Sequence, residues 1–250
     1  MTDMRADPGY ATGDTPVLAP DALYRLLAWS SPGYPTGAFS YSHGLEWAVE
    51  AGSVTDVQSL LDYVTAVLSR GGGWIDAVLF AHAWRVTCPS TKSIAATTLD
   101  DLTALAATFR GSSETALESR QQGAAFLDVT RKAWPLPALE ALALRSAATN
   151  TPVAHCIAVA VACAVHDIAL EPALHAYLHA VAANLVSAGA RLIPLGQTQA
   201  QIAIARLSPT ITTIIERALT TPLDELGTAA PAVEICSLRH ETQYTRLFRS

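Results

Sequence analysis

Two histidines, His175 and His179, have the clearest spacing for chemistry, because they lie four residues apart on a predicted helix. Side chains at this spacing share one face of a helix and could bind the same metal ion. The His-Glu-x-x-His pattern of zinc proteases is not matched, because Ala176 stands in place of the glutamate that acts as general base. A stable metal site also needs a third or fourth ligand. We therefore predict two partly buried histidines on a helix flank, and an α-helical metal-dependent enzyme using this pair is the alternative.

Other catalytic and cofactor motifs are missing from the sequence. There is no Gly-x-x-x-x-Gly-Lys-Ser/Thr loop for a nucleotide, no Gly-x-Ser-x-Gly elbow and no Gly-x-Gly-x-x-Gly fingerprint. The run Gly71-Gly72-Gly73 lacks a following lysine, so we predict that it stops a helix. Four scattered cysteines form no Cys-x-x-Cys pair, which predicts reduced thiols in a cytosolic protein: Cys88, Cys156, Cys163 and Cys236. The sequence predicts no catalytic residue, no cofactor and no bound metal.

Composition narrows the class of protein. Of the 250 residues, 50% are apolar and only 15% are charged, which leaves more apolar surface than one core needs and predicts a homodimer. A net charge of −6 argues against nucleic-acid binding, because that affinity comes largely from lysine and arginine. The longest apolar run, 157–165, is too short to span a bilayer, and residues 1–20 lack the order of a signal peptide. We expect a cytoplasmic protein that does not bind membranes.

Apolar residues recur at helical spacing through most of the chain, and no region alternates in the manner of a strand. The sequence therefore predicts an all-α fold, with a single domain of about ten helices over 21–238 after a disordered leader, 1–20. Asp21 is the predicted N-cap of the first helix, and Thr55 with Gln58 fits a capping box. The further predicted helices are 56–69, 75–85, 99–109, 114–134, 138–147, 152–167, 173–190, 197–206 and 209–219, and the last segment, 232–250, begins apolar and turns polar.

Two segments do not fit a plain helical domain. The opening segment (residues 31–46, SPGYPTGAFSYSHGLE) combines prolines, glycines and aromatics in a polar turn before a helix. The C-terminal segment (residues 239–250, RHETQYTRLFRS) carries three arginines beside Tyr244, Leu247 and Phe248. Aromatic residues and arginines dominate interface hot spots, whereas chain ends usually drift to small polar residues. We predict that the C-terminal segment docks a partner.

Both segments resemble the UreF family of urease accessory proteins. The opening segment fits Ser-Pro-x-x-Pro-x-Gly-x-Phe/Tyr-Ser-x-Ser-x-Gly-Leu-Glu, and the C-terminal segment fits Arg-His-Glu-x-x-Tyr-Ser/Thr-Arg-Leu-Phe-x-Ser. Residues 187–197 (SAGARLIPLGQ) and 122–126 (QGAAF) resemble two further blocks of the family. The resemblance runs from about residue 23 to the end. It departs at Thr36, where the family usually has valine or isoleucine, and it is poor over 86–112.

The resemblance implies a non-catalytic scaffold rather than an enzyme. It implies an all-α homodimer that binds UreD (also called UreH) and then the GTPase UreG, docks on apo-urease and supports nickel insertion. Phe39 and Arg246 occupy the family positions tied to ordering of the C-terminal segment and to complex formation. We expect 239–250 to be mobile in the isolated chain and ordered by UreD. The residues expected to bind partners are Phe39, Tyr41, His43, Glu46, Arg239, His240, Glu241, Tyr244, Arg246, Leu247, Phe248 and Arg249.

A helical ligand-binding regulator is the other alternative. It would need an internal pocket and a nucleic-acid module, and no basic helix-turn-helix is visible. Neither this regulator nor the metal-dependent enzyme explains a C-terminal segment rich in arginine and aromatic residues.

Overall fold

The computed structural model describes residues 18–88 and 97–250, and its regular elements there are all helical. The predicted all-α fold is confirmed. A 3-10 turn at Ala38–Ser40 precedes α2, and another follows α10 at Leu223–Glu225. The α-helices are α1 (Pro20–Trp29), α2 (Leu45–Glu50), α3 (Val57–Arg70), α4 (Gly72–Thr87), α5 (Leu99–Thr108), α6 (Ser113–Ala133), α7 (Pro137–Thr149), α8 (His155–Val165), α9 (Leu170–Leu192), α10 (Gln197–Ala218) and α11 (Pro231–His240).

The centre of the core is α8, which is apolar on every side and packs against α4, α6 and α9. Ile157 and the two cysteines Cys156 and Cys163 are fully buried within it. A helix with apolar residues all round must be covered on all faces, as the sequence predicted for this stretch. Around it, α9 packs on α10 and α3, and α11 packs on α2.

Helix starts differ from the predictions by small steps. Of the predicted leader, residues 1–17 lie outside the described part of the chain. Pro20 already forms the first turn of α1, so Ala19 rather than Asp21 is the N-cap. Proline suits that position because its missing N–H would have no helical partner there. At α3 the capping box is formed by Asp56 and Ser59, not by Thr55 and Gln58.

The prediction that the glycine run stops a helix is confirmed, but the next helix begins earlier than the predicted residue 75. Helix α3 ends at Arg70, and α4 begins two residues later at Gly72. A Cβ atom on Gly73 would lie 2.8 Å from the Cα atom of Leu68, a distance that real Cβ atoms do not show. The glycines therefore let α3 and α4 approach closely at a sharp corner.

The predicted helices 197–206 and 209–219 are one helix, α10, with Pro209 inside it. Pro209 lies on the exposed side, and the buried residues Leu207 and Ile211 on either side of it hold α10 to the core. Tertiary packing thus offsets the helix hydrogen bond that proline removes. The last helix, α11, ends at His240, and 241–250 forms turns and bends rather than helix. No helix in the described residues is long and apolar enough to cross a bilayer.

Candidate functional site

The opening segment is shaped by two glycines with positive φ. Gly37 (φ 77°) precedes the 3-10 turn, and Gly44 (φ 76°) precedes α2. A Cβ atom on Gly44 would lie 2.5 Å from the backbone nitrogen of Ser237 in α11. Glycine is needed here for its backbone conformation and for this close approach. The contact holds α11, and the C-terminal segment after it, against the opening segment.

Three carboxylates bind the C-terminal segment: the glutamate cluster of Glu46 on α2, which is buried, with the partly buried Glu114 and the buried Glu118 on α6. The Glu46 carboxylate accepts hydrogen bonds from the backbone N–H groups of Leu247 (2.6 Å) and Phe248 (2.9 Å). Charge-assisted hydrogen bonds of this kind are about twice as strong as neutral ones. Glu46 therefore fixes the backbone of the C-terminal segment, whatever its side chains contact.

His240 lies fully buried between two of these carboxylates. Its Nδ1 is 2.6 Å from Oε2 of Glu114, and its Nε2 is 3.1 Å from Oε2 of Glu46. Arg246 extends back to the other oxygen of Glu114 at 2.7 Å. The last helical residue and the extended segment are thus joined through a shared carboxylate.

Glu118 forms the third point of attachment. It accepts a hydrogen bond from the hydroxyl group of Ser250 at 2.9 Å and one from the amide of Gln122 at 2.8 Å, and His43 lies 2.9 Å away. Burial lowers the pKa of His43, but the attraction of the Glu118 carboxylate outweighs it, so the pKa lies above its ordinary value. The contact between His43 and Glu118 therefore closes this end of the cluster.

The opening and C-terminal segments also pair directly along their backbones. The N–H of Arg249 donates to the carbonyl of Ser40, and the N–H of Ser42 donates to the carbonyl of Ser250, both at 2.8 Å. Beside them, the guanidinium of Arg191 lies between the rings of Phe39 (3.7 Å) and Phe248 (4.3 Å). Arg191 also donates to the Phe39 carbonyl at 2.9 Å, and burial lowers its pKa.

The structure packs residues 239–250 against the opening segment and α6, and the mobility of this segment in the absence of a partner stays a prediction. Fixing this segment costs backbone entropy of about 1–2 kcal/mol per residue, which its contacts must offset. The glutamate cluster, which the sequence could not bring together, supplies that offset. Removing the segment would leave the three carboxylates of the glutamate cluster without these partners, so we expect its deletion to lower the melting temperature.

The predicted partner-binding residues divide into two groups. Tyr41, Glu46, His240 and Phe248 are buried and hold the two segments together, and His43 and Glu241 are partly covered. The exposed group is Phe39, Arg239, Tyr244, Arg246, Leu247 and Arg249. The sequence assigned no role to Arg191, Glu114, Glu118 or Ser250. For Arg191 the sequence offered one signal, because this residue lies in 187–197, a stretch that resembles a block of the family.

A cavity of about 650 Å³ lies beneath this site. His43, Glu118 and His155 line it, together with the buried ion pair of Asp76 and Arg110 at 2.7 Å. Burial lowers the pKa of His155 to about 4, so its ring is neutral at pH 7. Across 18–88 and 97–250, no three His, Cys, Asp or Glu side chains are grouped to hold a metal ion, and this holds for the surroundings of His175 and His179.

Comparison with known proteins identifies the family. Residues 54–208 match the family model of UreF. The chain belongs to the UreF family. A relative from Bradyrhizobium diazoefficiens is 46% identical over 238 residues, which cover 95% of this chain and 96% of the relative. One from Granulibacter bethesdensis is 48% identical over 243 residues, covering 97% and 98%. One from Rhodopseudomonas palustris is 46% identical over 247 residues, covering 99% and 100%.

All three relatives are named urease accessory protein UreF. Membership of a family of accessory proteins confirms the prediction that this UreF-family chain is not an enzyme. The alignment to the Rhodopseudomonas relative omits about three residues at most, so it includes the opening segment and nearly all of the C-terminal segment.

Proposed function

We propose that this UreF-family chain is a non-catalytic scaffold in urease maturation. In this proposal it binds UreD (UreH) and the GTPase UreG, and the complex supports nickel insertion into apo-urease. The relatives' name, urease accessory protein, supports the general role. The motifs of the opening and C-terminal segments support the choice of partners, because these motifs carry the resemblance to the family.

The observation that carries the proposal is the exposure of the docked C-terminal segment. Its backbone is tied down by Glu46, yet Tyr244 is fully exposed and Leu247 is 63% exposed. Phe39, 65% exposed, lies beside it through Arg191. Exposed aromatic and apolar side chains on a fixed backbone lose little further entropy when a partner covers them. The two segments thus form a preorganised docking surface: Phe39, Tyr244, Arg246, Leu247 and Arg249.

The docking surface is locally basic, which suits a partner with an acidic face. It carries two arginines, while the chain as a whole has a net charge of −6. Arginine suits planar, bidentate contacts with carboxylates at interfaces. We infer that the docking surface binds an acidic, partly apolar face of UreD or UreG, and that the protein works in the cytoplasm.

The alternative function as a metal-dependent enzyme has no support from the site. The carboxylates nearest the docking surface are occupied by His240, Arg246 and backbone N–H groups. His175 and His179 lie on α9, and within the described residues no third ligand is grouped with them to hold a metal ion. The scaffold role accounts for both the opening and the C-terminal segments, and the enzyme accounts for neither.

The test is co-purification of the chain with UreD and UreG from the same organism. Leu247→Ala is matched by Leu144→Ala on α7, because both leucines are 63% exposed. We expect Leu247→Ala and Tyr244→Ala to weaken the complex by roughly 1–2 kcal/mol each, as moderate hot spots. Leu144→Ala should leave it unchanged, and each variant should melt like the wild type. Wild-type binding by both docking-surface variants would refute this surface as the docking site.

A further inference from the structure

The cavity beneath the candidate site has the size and lining of a small-molecule site. Its volume of about 650 Å³ lies within the range of about 300–1,000 Å³ that is usual for ligand pockets. The large apolar side chains that line it include Ile75, Phe109, Val181 and Ile204. Thr108 and Gly111 also line the cavity and are exposed, so the cavity opens to the surface. A small molecule that enters it therefore buries apolar surface.

The cavity contains a histidine whose ring is free to form hydrogen bonds. His155 begins α8, and its ring lies between the rings of Phe126 (5.8 Å) and Tyr177 (5.4 Å). Within residues 18–88 and 97–250, neither ring nitrogen has a hydrogen-bond partner, and neither is fully covered by protein atoms. Burial lowers the pKa of His155 to about 4, so at pH 7 one ring nitrogen donates a hydrogen bond and the other accepts one. The packed ring thus offers the cavity one donor and one acceptor.

The charged groups that act on the His155 ring already have partners. They are Asp76, Glu118 and Arg110. Asp76 lies 2.7 Å from Arg110. The Glu118 carboxylate lies 2.9 Å from the ring of His43 and accepts two further hydrogen bonds. A charged ligand would lose its hydration here and meet charges that are already paired, which disfavours its binding.

We propose that this cavity is a binding site for an uncharged small molecule, with an apolar body and a polar group that hydrogen-bonds to the ring of His155. The apolar wall selects the body of the ligand, and the imidazole selects its polar group. The proposal does not rest on the proposed function, because the isolated chain contains every group that the site uses.

The test is an NMR titration of the isolated chain at pH 7 with matched probes. Phenol is uncharged and carries one hydroxyl group, and toluene has nearly the same shape without it. We expect phenol to bind saturably and to shift the ring ¹⁵N signals of His155, which are assigned with His155→Phe. In His155→Phe, which keeps the aromatic contacts, the affinity for phenol relative to toluene should fall roughly three- to tenfold, the effect of one lost hydrogen bond.

The control variant is His175→Phe, at a partly exposed histidine on α9 that does not line the cavity, and it should leave the phenol-to-toluene ratio unchanged. The charged analogues benzoate and benzylammonium should bind roughly tenfold or more weakly than phenol. The site is overturned if neither phenol nor toluene binds saturably, or if the ratio is the same in the wild type and His155→Phe. Tighter binding of benzoate or benzylammonium than of phenol would overturn the uncharged class of ligand.

Discussion

At the scale of single residues, Glu46 is the residue on which the C-terminal segment depends most. One carboxylate accepts from two consecutive backbone N–H groups and from His240. Glutamine at this position would place the NH2 group of its amide opposite backbone N–H donors, which need an acceptor. The motif Gly-Leu-Glu therefore ends in glutamate for its two ionised oxygens, and glutamine of the same shape cannot replace it.

We expect Glu46→Gln to lower the free energy of unfolding by roughly 2 kcal/mol, the scale of hydrogen bonds to a buried charged group. Urea denaturation followed by circular dichroism measures it. The control is Glu216→Gln on the exposed side of α10, which should change stability little. Equal stability of the two variants would show that the docked segment does not rest on the Glu46 carboxylate.

His155 predicts how the protein responds to acid. Its folded-state pKa of about 4 lies below the ordinary histidine value of about 6.5. Between these two values the unfolded chain binds more protons, so the contribution of His155 is complete above about pH 6.5 and is lost as pH falls through about 4. The ring packs beside Phe126 and Tyr177, so phenylalanine can replace it without loss of aromatic contact.

His155→Phe should therefore lose less stability than the wild type when the pH is lowered from about 6.5 to about 4. Urea midpoints at several pH values measure the difference, with the exposed His179→Phe as the control. His43 acts in the opposite direction, because its raised pKa adds stability that is lost as pH rises. Because His43 is present in the wild type and in both variants, comparing their pH profiles removes the contribution of His43. Parallel acid profiles for wild type and His155→Phe would contradict the assignment.

At the scale of elements, the contact between α6 and the chain entering α8 depends on Gly123. A Cβ atom there would lie 2.0 Å from the carbonyl oxygen of Val153 and 2.8 Å from the backbone nitrogen of His155. These are backbone atoms and cannot move aside without shifting α8, the centre of the core. The same helix carries Glu114 and Glu118, so the position of α6 also sets the position of the glutamate cluster.

Gly123→Ala should destabilise the protein by roughly 1–3 kcal/mol through overpacking, although alanine favours helix more than glycine does. Thermal unfolding measures the change, and Gly227→Ala is the control because a Cβ atom there meets nothing within 4 Å. If Gly123→Ala is as stable as wild type, α6 and α8 are less tightly fixed than the structure indicates.

At the scale of the whole molecule, α1 presents an exposed apolar face. Its large apolar residues Leu23, Tyr24 and Leu27 are all exposed. Exposed apolar faces of this kind mark association surfaces. We propose that the chain forms a homodimer and that α1 contributes to it.

Sedimentation at micromolar concentration should show a species of about twice 26.4 kDa. Tyr24→Glu should shift it toward the monomer, because a buried unpaired charge opposes association. Leu144→Glu, at an exposed leucine on α7, is the control. A 26.4 kDa species alone would rule out the homodimer, and a dimer insensitive to Tyr24→Glu would place the interface elsewhere.

The sequence by itself determined the helical class and the family. Helical periodicity identified nearly every helix, because a buried face repeats every 3.6 residues whatever the partner helix is. Its errors were local: the capping box at α3 was displaced by one residue, and Pro209 split α10 in two. Those errors arose where a neighbouring side chain or the packing of a whole helix outweighed local preference.

Only the tertiary structure decided where the C-terminal segment lies. Glu46, Glu114 and Glu118 are spread over more than seventy residues, and nothing in their local sequence marks them as one cluster. Folding brings α2 and α6 together around His240, and burial then makes each carboxylate require a partner. A segment that is polar and charged in the sequence is therefore docked in the fold, because charge pairing across distant elements is a property of three-dimensional proximity.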